Sequence, residues 1–209
     1  EAVGLVKVRI RIEDGKPTFT QLYSSTKPEF GPPVPEKDIL ARALSLQPDD
    51  LLYGELTSQA VSCGVPFLFI PLKDLNTLSR ANLSREHWEK DLLGFWAPHL
   101  FMLTFNTETK GVDLRSRVFS PGMAIDEEPA SGSAAMALGG YLGSHDPTDT
   151  GTLRWTVEQG VEMGRPCIME VEADKVNGEV VTTRVGGSCV MISEGLINIT
   201  PERETDQQI

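Results

Sequence analysis

The sequence predicts an α+β fold in which a curled, mixed, barrel-like β-sheet encloses one buried helix. Two observations carry that prediction. Residues 132 to 142 hold an almost unbroken run of small and apolar residues, in which Ala134, Ala135, Met136, Ala137, Leu138, Gly139, Gly140, Tyr141 and Leu142 leave no polar face. A helix that is apolar all round is buried all round. Its Ala and Gly content keeps it thin, as a place inside a sheet demands. The rest of the chain is strand-rich: beyond residue 150 the pattern is nearly all strand, punctuated by Gly151, Gly160, Gly164, Gly178, Gly186, Gly187 and Gly195.

The elements follow in order. Val6, Val8, Ile10 and Ile12 alternate with Lys7, Arg9 and Arg11, which predicts a half-buried strand. Asp14-Gly15 turns the chain, and Thr18 to Leu22 reads as the return strand. Residues 24–35, SSTKPEFGPPVP, read as a crossover loop. Pro35 suits the first turn of a short helix whose Ile39, Leu40, Ala43 and Leu44 share a face. Ser58 to Leu72 reads as two strands or one bulged strand, broken at Gly64-Val65-Pro66. Helical pieces start near Leu75 and at Ser84. The second is expected to bury Trp88, Leu92 and Leu93 and to stop at Gly94. Further strands are predicted at His99 to Phe105, Val112 to Phe119, Leu153 to Gln159, Cys167 to Ala173, Glu179 to Val185, Cys189 to Ser193 and Leu196 to Ile199.

Composition narrows the function. The 209 residues carry a formal net charge of −11, and so acidic a surface argues against nucleic acid as partner. No apolar run approaches transmembrane length and no signal-peptide core is seen, so the reading is a cytoplasmic protein without a membrane partner. Cys63, Cys167 and Cys189 form no CxxC pair and read as buried, inert thiols. The histidines have no metal-ligand spacing, so no metal is predicted.

The chemistry points to the start of the apolar helix. A helix N-terminus offers unpaired N–H groups and partial positive charge. Ser131-Gly132-Ser133-Ala134 has only small side chains, so a carboxylate or phosphate could approach the backbone closely. The same residues also fit a serine-capped structural helix with no ligand. Asp126, Glu127 and Glu128 precede the helix, with Pro129 fixing the turn. They read either as a solvated acidic turn or as a source of a proton-transfer carboxylate beside an anion site.

These residues carry a family resemblance. EEPASGSAAMALGGYL resembles the EDPATGSA motif and central helix of the phenazine-biosynthesis (PhzF-like) isomerase family. Ser116-Arg117-Val118-Phe119-Ser120-Pro121 resembles that family's arginine-phenylalanine-proline segment, and VSCGVPFLFIPL its strand-Gly-strand signature. Gln159-Gly160 with Met163-Gly164-Arg165-Pro166, then Val185-Gly186-Gly187 and Glu194-Gly195, match its later blocks in order. The resemblance implies a diaminopimelate-epimerase-like fold of two lobes, each a curled sheet around a helix, with the site in the cleft between them. It implies isomerisation or epimerisation by proton transfer, without metal or organic cofactor. The substrate is then a small carboxylate-bearing metabolite bound at Gly132, Ser133, Ala134 and Gly64, with Glu128 as the catalytic acid where the family usually has Asp. The family's first portion, with its glutamate base and a Gly-His segment, finds no match in residues 1–30. Residues 1–22 are therefore expected to be the tail of an incomplete first lobe, 23–195 the second lobe, and 196–209 a strand returning toward the first lobe plus a frayed tail. The expected polypeptide partners are the missing N-terminal lobe and a second copy in a homodimer. A catalytically inactive binding or scaffold protein of the same fold stays open as the alternative.

Overall fold

The computed structural model describes residues 5–52, 56–189 and 193–198. In chain order these hold β1 (Val8–Glu13), β2 (Lys16–Tyr23), β3 (Glu29–Phe30), α1 (Lys37–Ala43), β4 (Gln59–Ser62), β5 (Pro66–Pro71), α2 (Leu75–Arg80), α3 (Arg85–Asp91), β6 (His99–Thr104), β7 (Leu114–Ser120), β8 (Ile125–Glu128), α4 (Gly132–His145), β9 (Gly151–Gln159), β10 (Cys167–Val176) and β11 (Glu179–Gly187). The strands make one sheet in the order β1-β2-β11-β10-β9-β7-β6-β5-β4-β3, with β8 paired to β7 off that path. The pairs β5–β6 and β7–β9 are parallel, and the other pairs are antiparallel.

The sheet curls around α4. Residues Ala134 to Gly143 of this helix are buried. Its glycines let strands from both halves of the sheet come close. A Cβ on Gly139 would lie 3.2 Å from Val171 and 3.3 Å from Thr183 on one side; a Cβ on Gly140 would lie 3.3 Å from Val61 on the other. Tyr141 stacks on Phe69 at 4.9 Å, and its hydroxyl donates to the Thr57 carbonyl at 2.8 Å. The core around α4 draws Phe67, Phe101, Leu114, Val118, Val157, Met169 and Val185 from the enclosing strands. A second core lies on the outer face, where α1, α2 and α3 cover Leu68, Ile70, Leu100, Met102 and Phe119 with Leu40, Leu44, Leu78, Trp88 and Leu92. The sheet is thus sealed on both faces over β4–β7, whose residues are mostly buried.

Four expectations are corrected. Val8, Ile10 and Ile12 form the predicted strand but all three are exposed, because no described element lies over that face of β1. Leu93 points to solvent, since α3 ends at Asp91 and only Trp88 and Leu92 turn inward. None of the three cysteines is fully buried, and Cys189 is exposed. Leu196 to Asn198 adopt no strand, while 199 and most of the strand predicted at 189–193 lie outside the described residues. The break at Gly64 separates two strands: it sits with φ +124° in the turn between β4 and β5.

Candidate functional site

The mouth of the curled sheet at the start of α4 brings several polar groups together. The chain leaves β7 through a short 3-10 turn at Pro121–Met123 and returns as β8, which pairs antiparallel with β7 and sets Glu128 opposite Val118. Four residues later, at Gly132, α4 begins. The three consecutive acids, read as a turn, form part of a strand, and each has a different fate. Asp126 is exposed and pairs with Arg85 at 2.7 Å. Glu127 is held by a two-pronged bond from Arg117, with both N···O distances 2.8 Å. Glu128 turns to the side of the sheet facing α4, where its Oε1 accepts a hydrogen bond from the buried Ser120 hydroxyl.

The backbone around Glu128 is fixed from β9. Gln159 is buried and donates its Nε2 to the Glu128 carbonyl at 2.7 Å. Gly160, at φ +81°, lets the chain pass so close that a Cβ there would lie 2.7 Å from the Pro129 carbonyl oxygen and 2.4 Å from that of Arg165. Arg117 also donates to the carbonyls of Leu78, Ser79 and Ala81 at 2.7–3.2 Å, which ties β7 to the end of α2.

At the helix start, Ser131 occupies the N-cap position with extended backbone, but its hydroxyl makes no cap bond. The first intrahelical bond runs from Ala135 N–H to the Ser131 carbonyl at 2.9 Å. The N–H groups of Gly132, Ser133 and Ala134 therefore have no acceptor within the helix. Gly132 and Ser133 are exposed while Ala134 is buried, so the first turn opens outward from an otherwise enclosed helix. A Cβ on Gly132 would meet only Val185, at 4.0 Å.

His99, at the start of β6, completes the cluster. It packs against Phe67 with ring centroids 5.6 Å apart and lies under Gly122. Its Nδ1 is buried and has no hydrogen-bond partner among the described residues. Burial pushes the imidazole below the ordinary histidine range, while the nearby Glu128 carboxylate pulls it up. Gly64 lies in the β4–β5 turn, at the end of β5 that pairs with His99 through Phe67. Its neighbour Cys63 donates to the Met136 carbonyl in α4 at 3.6 Å. Sequence reasoning named Glu128, Gly132, Ser133, Ala134 and Gly64. It missed Ser120, His99 and Gln159 as parts of the cluster, although Ser120 and Gln159 sit inside two of the quoted motifs. The chemistry available is anion binding by backbone N–H groups beside a carboxylate fixed at one oxygen. Among the described residues, no group of three or more His, Cys, Asp or Glu is placed to hold a metal ion.

Residues 1–195 match the phenazine biosynthesis-like protein family, PhzC-PhzF. The chain is 30% identical over 206 residues to an uncharacterized isomerase of Mesorhizobium japonicum, covering 95% of the chain and 67% of that protein. Among solved structures, it resembles a PhzF-family phenazine biosynthesis protein of Bacillus anthracis at a TM-score of 0.77 and 23% identity, covering 93% of this chain and 64% of that one. It also resembles a predicted epimerase of Pseudomonas aeruginosa at a TM-score of 0.64 and 25% identity, covering 88% and 59%. The curled, unclosed mixed sheet with few helices is the fold of these structures. The chain spans about three fifths to two thirds of the length of the proteins it matches along most of its own length.

Proposed function

This chain belongs to the phenazine-biosynthesis-like family, and on that premise we propose that it acts as an isomerase or epimerase, moving a proton on a small carboxylate-bearing metabolite. The observation that carries the reading is the placing of the Glu128 carboxylate four residues before a helix whose first turn is open. A substrate carboxylate docked on the N–H groups of Gly132, Ser133 and Ala134 has its charge offset by those donors and by the helix dipole. That lowers the cost of placing further negative charge on the adjacent carbon when its proton leaves. Glu128 is the group that takes or returns that proton. The proton goes to a carboxylate oxygen and the electron pair of the C–H bond stays on the substrate. The name isomerase carried by the Mesorhizobium relative supports the reaction class.

The other wall of the cleft is part of the proposal. The apolar row of Val8, Ile10, Ile12 and Leu22 continues the side of the sheet that faces α4, and it is exposed. We propose that a second lobe packs there and closes the site from the side opposite Glu128.

Incubation of the protein in D2O with a panel of 2-amino and 2-hydroxy carboxylic acids tests the function. At least one acid is expected to gain deuterium at carbon. Glu128→Gln should leave binding intact and slow that exchange by roughly two to four orders of magnitude. Exchange at the parent rate in Glu128→Gln would remove Glu128 from the reaction.

A further inference from the structure

We infer that Ser120 is the positioning residue for Glu128: its hydroxyl holds one carboxylate oxygen and leaves the other to carry the proton. The inference rests on reading Glu128 as the proton-transfer group. Ser120 is the last residue of β7 and is fully buried, a costly place for a hydroxyl unless it is hydrogen-bonded. It has one proton to give. The register that sets Leu100 against Phe119 brings His99 beside it, yet the buried His99 Nδ1 has no partner among the described residues and the Ser120 hydroxyl donates to Glu128 Oε1.

The division of labour around Glu128 makes Ser120 specific. The Glu128 carbonyl is held by Gln159, the neighbouring Glu127 side chain by Arg117, and the Pro129 backbone by the close approach of Gly160. None of these touches the Glu128 carboxyl group. Ser120 is its hydrogen-bond partner among the described residues. A glutamate has three side-chain torsions, and without an anchor its carboxylate samples many positions, which costs entropy each time a reacting geometry is reached. With Oε1 accepting from Ser120, Oε2 is the freer base. It takes the proton from the substrate carbon and gives it back.

The test compares crystal structures, melting temperatures and D2O exchange for the parent, Ser120→Ala, Ser120→Thr and Glu128→Gln. In Ser120→Ala the Glu128 carboxylate is expected to leave its single position, and exchange to lose roughly 10- to 100-fold in kcat with KM unchanged. Ser120→Thr keeps a hydroxyl and should restore both. Ser120→Cys, nearly isosteric with a weak donor, is the second variant if alanine does not fold, with the same expected loss. A Glu128 carboxylate that stays in place in Ser120→Ala overturns the inference, whatever the activity. So does a parent-like kcat in Ser120→Ala while Glu128→Gln loses exchange. If Glu128→Gln exchanges like the parent, the proton-transfer role of Glu128 fails, and the orientation in Ser120→Ala alone decides whether the anchor exists.

Discussion

Glu128 and His99 show how environment decides what a side chain does at this site. His99 is nearly covered, and burial disfavours its charged form; the Glu128 carboxylate is the opposing influence. Removing that negative charge in Glu128→Gln should therefore lower the His99 pKa further, read from the imidazole resonances in an NMR pH titration. An unmoved titration would mean that the two groups do not share a site. The stability sign follows from the same depression. Between the lowered folded value and the ordinary histidine value near 6.5, the unfolded chain binds more protons, so stability rises with pH through that window. The sequence made Glu128 legible because it stands just before a small-residue helix start. It left Ser120, His99 and Gln159 unassigned, since their sequence distances from Glu128 are bridged only by the pairing of β8 with β7 and by β6 and β9 flanking β7. No local pattern reports such pairing.

The central helix was the most legible element, because an all-apolar face pattern admits few places. Its end was less so: α4 runs on to His145, beyond the apolar run, where the Ser144 hydroxyl donates to the Tyr141 carbonyl at 2.8 Å. Met136 sits in the enclosed core, so Met136→Asp should cost roughly 3–5 kcal/mol in chemical unfolding, the penalty of an unpaired buried charge. The glycines of α4 divide by position. A Cβ on Gly140 would press on Pro28 at 2.7 and 2.9 Å, so Gly140→Ala should destabilise by about 1–3 kcal/mol despite alanine's better helix propensity. Gly132 has room, so Gly132→Ala should not lower the melting temperature. A melting temperature that falls equally in both would show that space around α4 is not the deciding factor. The strand β1 was legible as an element but not in its burial. Alternation identifies an apolar face without saying what covers it.

At the scale of the molecule, the curled sheet encloses α4 and leaves its first turn and the β1–β2 apolar row open. The proposed second lobe is expected to pack on this row. The parent should bind the dye ANS, and replacing Ile10 and Ile12 together by Lys should suppress that binding while changing unfolding free energy by no more than about 1 kcal/mol. A large loss of stability would place those side chains in a core instead. Strand order was the least legible feature, because the pairings of β2 with β11 and β7 with β9 join segments far apart in sequence. The open turn of α4 as a carboxylate site is tested most directly by titrating benzoate into 15N-labelled protein and following the backbone amides. Gly132, Ser133 and Ala134 should shift together and saturably in the parent and remain unmoved in Gly132→Val with the rest of the spectrum preserved. Shifts scattered over the surface, or none at these three amides, would contradict a carboxylate site at the start of α4.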